Sequence, residues 1–411
     1  MNLKKLAAIL ACLCILFATA ALADGDTIKI GAMYAYSGDK AAIGNNIIRG
    51  IEFAVEQINA AGGVNGKMLE IVKGDHEGDA KKAKSVAEKL VTVDKCDALL
   101  GCHMSTLTDI AAQVCEENGI PMVTAISTVD NLSEKGYDYF FRMCPMNSVY
   151  IRGMFDYLRD TAKVTGKEVK TIAIFADNSN IGQQLIDAAN IFAADYGMEV
   201  VEKVEYQGGQ PDLSSEVLKL KAANADAVLA ESYIADATLL MKTLQEQNYQ
   251  PPILVAKANG YTDPSFLENT QGISNGVASV VEWNPDLTKG QEINAAFKEK
   301  YGLDMNGHSA ESYTATWILK TAFEQAGTTD GEKVKEALEN MNIEGSFPNG
   351  PEIILPYDAI RFENHDFNGT QHYHNNTAAS IAIAQVQDGV YKTVWPLEFA
   401  GAQIQYPAQY K

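Results

Sequence analysis

The chain has 411 residues, with 46% apolar and 21% charged side chains, a globular profile long enough for two or three domains and unlike that of a disordered chain. Its formal net charge of −20 argues against nucleic acid and anionic membrane surfaces as partners. That charge does not name a cationic ligand, because acidic surfaces of this kind commonly serve solubility.

Met1–Ala23 reads as a secretory signal. Lys4 and Lys5 precede the apolar run Leu6–Ala18, and Ala21-Leu22-Ala23 supplies a small-residue cleavage site, so the mature chain is expected in the periplasm, cut after Ala23. Neither this run nor any later one is long enough to span a bilayer. Four cysteines remain after the signal: Cys96, Cys102, Cys115 and Cys144. An exported chain can oxidise them. Cys96 and Cys102 flank one strand, ~20 Å apart at ~3.3 Å per residue, and cannot pair. Cys96 with Cys115, Cys102 with Cys144, and free thiols all stay open.

The mature chain begins with a strand, Thr27–Tyr34, and a loop, Ala35–Gly44. In Asn45–Ala61 the residues Ile47, Ile48, Ile51, Val55 and Ile58 fall on one helical face, and Gly62-Gly63 ends the helix. Met68–Val72 reads as a strand and Asp79–Val91 as a helix with lysines outward. Asp97–Gly101 is a short apolar strand, followed by Ser105 and Thr106 at the start of a helix that Glu117-Asn118-Gly119 stops. Ile120–Thr124 is the next strand, closed by Ser127 and Thr128.

Helix Asn147–Ala162 then leads into a second run of βα units. Its strands are Thr171–Ala176, Glu199–Glu205, Asp226–Ala230 and Ile253–Ala256, and its helices Gly182–Tyr196, Leu213–Ala223 and Ala235–Asn248. Gly276–Val281 reads as a strand, and helices are expected over Lys289–Tyr301, Ser309–Gln325 and Thr329–Met341. The tail alternates as β structure over Pro351–Phe362, Ala379–Gln387 and Tyr391–Trp395, with a hairpin turn at Asp388-Gly389.

The second run copies the first. ADAVLAESYIADATLLMKTLQEQNYQPPILVA aligns on CDALLGCHMSTLTDIAAQVCEENGIPMVTAI with one gap, placing Asp226 on Asp97, Ala230 on Gly101 and Tyr233 on Met104. TIAIFA likewise falls on TIKIGA. The fold class is therefore α/β, with two doubly wound three-layer lobes joined by a multi-strand hinge. The expected division is 24–146 plus 276–352 for lobe one and 147–275 plus 353–411 for lobe two.

Ligands of open α/β sheets bind at the carboxyl ends of the strands, and a helix N-terminus attracts anions. Ser105, Thr106, Ser127 and Thr128 are thus candidates for holding a small acid, against the plainer reading of Ser105 or Thr106 as an N-cap. Tyr233 faces the same cleft from lobe two, where Asp177 and Glu231 are the acids at strand ends. His103 could also face the cleft, or pack locally. His372-Tyr373-His374 is too sparse for a metal site, and Trp283 and Trp317 read as packing. No G-x-S-x-G, phosphate loop or dinucleotide fingerprint is present, so neither an enzyme nor a cofactor is expected.

IKIGAMYAYSG, GIEFAVEQINAAGGVNGKMLEIV, LLGCHMSTLTDIA with GIPMVTAIST, and DGVYKTVWP resemble landmarks of the type I periplasmic solute-binding proteins of ABC importers, in the branched-chain amino acid (leucine/isoleucine/valine-binding) branch. The resemblance covers nearly the whole mature chain. It implies a monomer that closes two lobes on a small-molecule solute and docks on an ABC permease in the inner membrane. It also implies that Ser105, the Ile126 backbone and Thr128 hold the solute carboxylate, and that Tyr233 closes over it. Where leucine-type members carry two tyrosines this chain has Ile43 and Ile181, and the acid for the ligand ammonium falls near Ala258 or Asn259. Either another acid substitutes, or the ligand is a different species such as an aromatic acid, with Tyr34 and Tyr36 near the first loop, an amide or urea. A ligand module for a membrane sensor would carry the same pocket.

Overall fold

The computed structural model describes residues 27–257, 259–262 and 264–408, with the side chains of Asp39, Asn180, Asn259 and Pro264 set aside. The signal segment and Ala258 lie outside those residues. Two sheets organise the chain, one of eight strands and one of seven among the described residues.

The first sheet is built from β1 (Ile28–Tyr34), β2 (Leu69–Asp75), β3 (Ala98–Gly101), β4 (Met122–Thr124) and β5 (Phe140–Arg142), all parallel. The helices between them are α1 (Ala41–Ala60), α2 (Ala80–Glu88) and α3 (Ser105–Asn118). Helix α4 (Asn147–Thr165) opens the second unit, which contains β6 (Thr171–Asp177), α5 (Asn180–Asp195), β7 (Glu199–Tyr206), α6 (Ser214–Ala223), β8 (Ala227–Glu231), α7 (Ile234–Glu246), β9 (Leu254–Lys257), α8 (Pro264–Thr270) and β10 (Ala278–Val281). The parallel strands run β2-β1-β3-β4-β5 in one sheet and β7-β6-β8-β9-β10 in the other. These are the same order, so the duplication read in the sequence is a duplication of topology. In each lobe the winding reverses between the first and third strands, the crevice where ligands of such sheets bind.

Strand β1 shows how the layers form. Ile28, Ile30, Ala32 and Tyr34 enter one apolar cluster with α1, while Met33 enters another with Leu99 and helices α2 and α3. The two faces of the second sheet carry their own clusters. A large apolar side chain fully buried in this way contributes about 1.5–3 kcal/mol. At the end of α3, Gly119 sits at φ 65° and its N–H reaches back to the carbonyl oxygens of Cys115 and Glu116, a left-handed cap that only glycine adopts without strain.

The remaining elements are α9 (Gln291–Tyr301), α10 (Gly307–Ala326), α11 (Gly331–Glu339), β11 (Asn342–Glu344), β12 (Ala359–Phe367), β13 (Thr370–Asn376), β14 (Ala382–Gln387) and β15 (Val390–Trp395). Helix α10 is buried from Ser309 to Phe323. It lies on α1, with the Tyr313 hydroxyl donating to Gln57 at 2.6 Å and the Ser312 hydroxyl donating to the Ile47 carbonyl at 2.9 Å.

The lobe division differs from the expected one. Strand β10 belongs to the second sheet, parallel to β9, and β12 and β13 belong to the first. An apolar VASVV run completes the second parallel core, while the β12–β13 hairpin covers the edge of β5, where Asn375 pairs with Arg142. Only β14 and β15 return to lobe two. The chain therefore crosses between lobes after β5, after β10 and after β13. Strands β5, β11 and β13 and helix α8 were not anticipated. The Asp388-Gly389 turn has φ 52° and 77°, as a two-residue hairpin requires. Cys96, Cys102, Cys115 and Cys144 are all free and buried, which resolves the alternatives left open by spacing.

Candidate functional site

The strand tips of lobe one are held by buried hydroxyls. The Cys102 N–H donates to Thr108 Oγ1 at 3.1 Å, and Ser127 Oγ donates to the Cys102 carbonyl at 2.8 Å. Thr108 completes the link to Ser127, and the Ser127 N–H donates to Thr124 Oγ1 at 3.3 Å. These bonds tie the loop after β3 to the loop after β4. Ser127 is thus only 1% exposed and committed to the frame, a correction to its expected ligand role. Arg142, fully buried, donates to the carbonyls of Thr128, Val129 and Asp130 at 3.1, 2.7 and 3.1 Å and to Asn375 at 2.8 Å. It fixes the backbone that carries Thr128.

Helix α3 begins at Ser105, its N-cap residue is Met104, and no side chain caps it, so the N-cap reading of Ser105 and Thr106 does not hold. Ser105 and Thr128 are half-buried and Thr106 is exposed. Among the described residues neither the Ser105 nor the Thr128 hydroxyl is engaged in a hydrogen bond, and the Ile126 N–H has no backbone acceptor. Tyr36, also half-buried, turns its hydroxyl back to the Ala32 carbonyl at 3.0 Å, a correction to its expected place in the cage.

In lobe two, Tyr233 stands at the N-cap position of α7 with 53% of its surface exposed. Asp177 ends β6 and accepts from the Ser179 N–H at 3.0 Å and from the Ser179 hydroxyl. Glu231 is 3% exposed and both its carboxylate oxygens are taken by Lys257 Nζ, at 3.2 and 3.1 Å. Burial pushes the Glu231 carboxyl up against the pull of Lys257. The sequence reading missed Lys257, although a charged residue closing the apolar run LVAK was the available sign. Glu231 is therefore not a free partner for a ligand ammonium, contrary to expectation. Ile181 is half-buried in the first turn of α5, and the Asn259 backbone forms a short turn, Asn259–Tyr261.

Several histidines lie on lobe one. His103 stacks on His76 with ring centroids 5.9 Å apart, and neither of its ring nitrogens has a hydrogen-bond partner. Burial, with the charges of His76, His308 and Lys40 adding to it, pushes the His103 imidazole down to about 4. His372 and His374 lie on β13 and turn to separate partners, Ser133 and the Phe141 ring. Trp283 and Trp317 sit in the core. Two outer cavities of about 240 and 270 Å³ on lobe two, around Tyr249 and Tyr196, include none of the predicted residues.

A model of the periplasmic binding protein family matches residues 27–388. The Leu/Ile/Val-binding protein homolog 7 of Brucella suis is 30% identical over 405 residues, covering 95% of this chain and 97% of that protein. The branched-chain amino acid transporter substrate-binding protein of Streptococcus pneumoniae, solved with isoleucine, superposes with a TM-score of 0.69 at 22% identity, covering 89% and 98% of the two chains. A solute-binding protein of R. palustris, solved with benzoate, gives a TM-score of 0.66 at 16% identity, covering 94% and 98%. These relatives are binding proteins and not enzymes. With a match that runs through both sheets and all three crossings, the chain belongs to the periplasmic binding protein family.

Proposed function

We propose that the chain is the extracytoplasmic solute-binding component of an ABC importer, exported by residues 1–23 and delivering its cargo as a monomer to an inner-membrane permease. The cargo is a small carboxylate-bearing solute, an amino acid, enclosed when the two lobes close. The observation that carries this reading is the division of labour at the lobe-one strand tips. Thr108, Thr124 and Ser127 spend their hydroxyls on the frame, while Ser105 and Thr128 keep theirs. Ser105, Thr106, the Ile126 N–H and Thr128 then receive the carboxylate at the start of α3, and Tyr233 with Asp177 covers it from lobe two. Isoleucine and benzoate, found in the two matched structures, share that carboxylate.

A second reading rests on lobe two. Glu231 is neutralised by Lys257, and the position of the family's ammonium acid falls near Ala258 or Asn259. Both facts favour an acid without an ammonium.

The Ser105→Ala, Thr128→Val double variant is expected to bind the solute at least tenfold more weakly, ~1.4 kcal/mol. Isothermal titration calorimetry on the folded variant checks it, and an unchanged affinity would remove these two residues from the site.

A further inference from the structure

Helix α10 begins where the lobes meet. Its first residue, Gly307, lies so close to Glu282 that a Cβ there would stand 2.8 Å from Glu282 Oε2 and 3.1 Å from its Cβ. Glu282 belongs to the crossing after β10, and the Tyr150 hydroxyl of α4 donates to its Oε1 at 3.2 Å. Three parts of the hinge thus converge on one carboxylate: the crossing itself, a lobe-one helix N-terminus and a lobe-two helix. The N-terminus of a 20-residue helix favours an anion at this point.

One turn along α10 stands a second acid, Glu311, only 2% exposed, whose Oε2 has no hydrogen-bond partner. Beside it is Tyr34, fully buried at the tip of β1, whose hydroxyl is also without a partner. The charged and titratable groups that face Glu311 are Tyr34 from β1, Cys144 and Tyr150 from the crossing after β5 and the helix that follows, Tyr357 from the segment before β12, and Glu282. None of them is a cation. His308, which feels Glu282, has its imidazole pushed down by burial while Glu282 pulls it up. Glu311 is therefore a buried acid with the half-buried Glu282 near it, and none of the groups that face it is a cation. A buried unpaired carboxylate costs several kcal/mol, so such a group keeps its proton until a partner arrives. Burial, with Glu282 adding to it, holds the Glu311 carboxyl well above the usual carboxylate range.

We propose that Glu282 and Glu311, with Tyr34, form the seat for the positively charged group of the ligand, replacing the lobe-two acid that this chain lacks. The inference rests on the solute-binding reading above and fixes the ligand class within it: a solute with a carboxylate at the Ser105–Thr128 edge and an ammonium directed at the hinge. The ammonium supplies the missing cation, and Glu311 gives up its proton to solvent as the pair forms. Binding then strengthens from mildly acidic to mildly alkaline pH.

The test compares amino acids with the carboxylic acids that lack their amine, isoleucine against 3-methylpentanoate being one pair, by thermal shift and calorimetry. Amino acids are expected to bind at least tenfold more tightly than their amine-free partners, with up to one proton released, read from heats in phosphate and Tris buffers. Glu311→Gln is expected to lose the proton release and at least tenfold in amino-acid affinity. It should melt no lower than the wild-type apo protein, because a buried ionisable group has been replaced by a neutral one of the same shape. Glu282→Gln should lose affinity as well. Equal binding of the amine-free acids, or a folded Glu311→Gln variant with unchanged affinity, would overturn the seat and leave the carboxylate reading standing. If no compound of either kind bound, both would fall.

Discussion

At the scale of single residues, the decisive question is which polar groups are already spent. Glu231 and Lys257 spend each other, each almost wholly buried. Lys257→Met should therefore leave an unpaired carboxyl in the interior and lower stability by roughly 3 kcal/mol at neutral pH. The sign with pH follows from burial. A carboxyl whose folded pKa is raised binds its proton more readily in the folded state, so the variant's deficit should shrink as pH falls through that raised pKa toward the ordinary glutamate value. Urea midpoints measured across mildly acidic to neutral pH check both claims, and a deficit that grows on acidification would contradict them. The sequence made the loop hydroxyls visible as a group, and among the described residues those of Ser105 and Thr128 are the ones left out of the frame's hydrogen bonds. It could not separate them from Ser127, because that depends on Thr108 and Thr124, which approach it only through the fold. Glu311 was equally hidden, a charged residue inside what reads as an ordinary helix.

At the scale of elements, periodicity was a good guide wherever a helix or strand has one wet face. Helix α1 and strands β1–β4 and β6–β10 lie within a few residues of the expected bounds, whereas β5 was not among the expected strands. The stop after α3 was legible because Gly119 is the residue its left-handed geometry needs. Gly119→Ala should cost about 1 kcal/mol, seen as a lower urea midpoint with an unchanged m-value. No loss would mean that the cap tolerates a side chain. The tail was harder. Strand β12 is apolar mainly at its start and β13 is mostly polar, so neither carries a pattern that names its sheet. The β13–β5 pairing runs through a single registered pair, Asn375 with Arg142, residues far apart in the chain.

At the scale of the molecule, the proposed function requires the two lobes to close over a ligand as rigid bodies. Tyr233 is half-exposed and supports no core cluster. Tyr233→Ala should therefore leave stability without solute within about 0.5 kcal/mol of wild type while weakening binding of the proposed amino-acid solute, chiefly through faster release. Calorimetric melting together with stopped-flow dissociation tests this, and an unchanged release rate would take the ring out of the closed cage. The duplication was the most legible large-scale feature, since it survives as repeated sequence and as repeated strand order. The assignment of crossings was not, because nothing local marks where a chain leaves one sheet for another.

The triple crossing bears on how the protein is made. Strands β1 to β5 are synthesised first, yet α10 and the β12–β13 hairpin, which cover their sheet, come only after the whole parallel core of the other lobe. A fragment ending at residue 281 would leave Tyr34, Ile47 and Ile51 facing water in place of Ala310, Tyr313 and Ile318. The polypeptide must wait for its own last third before its first third can settle, which makes any truncated half a poor candidate for recombinant production.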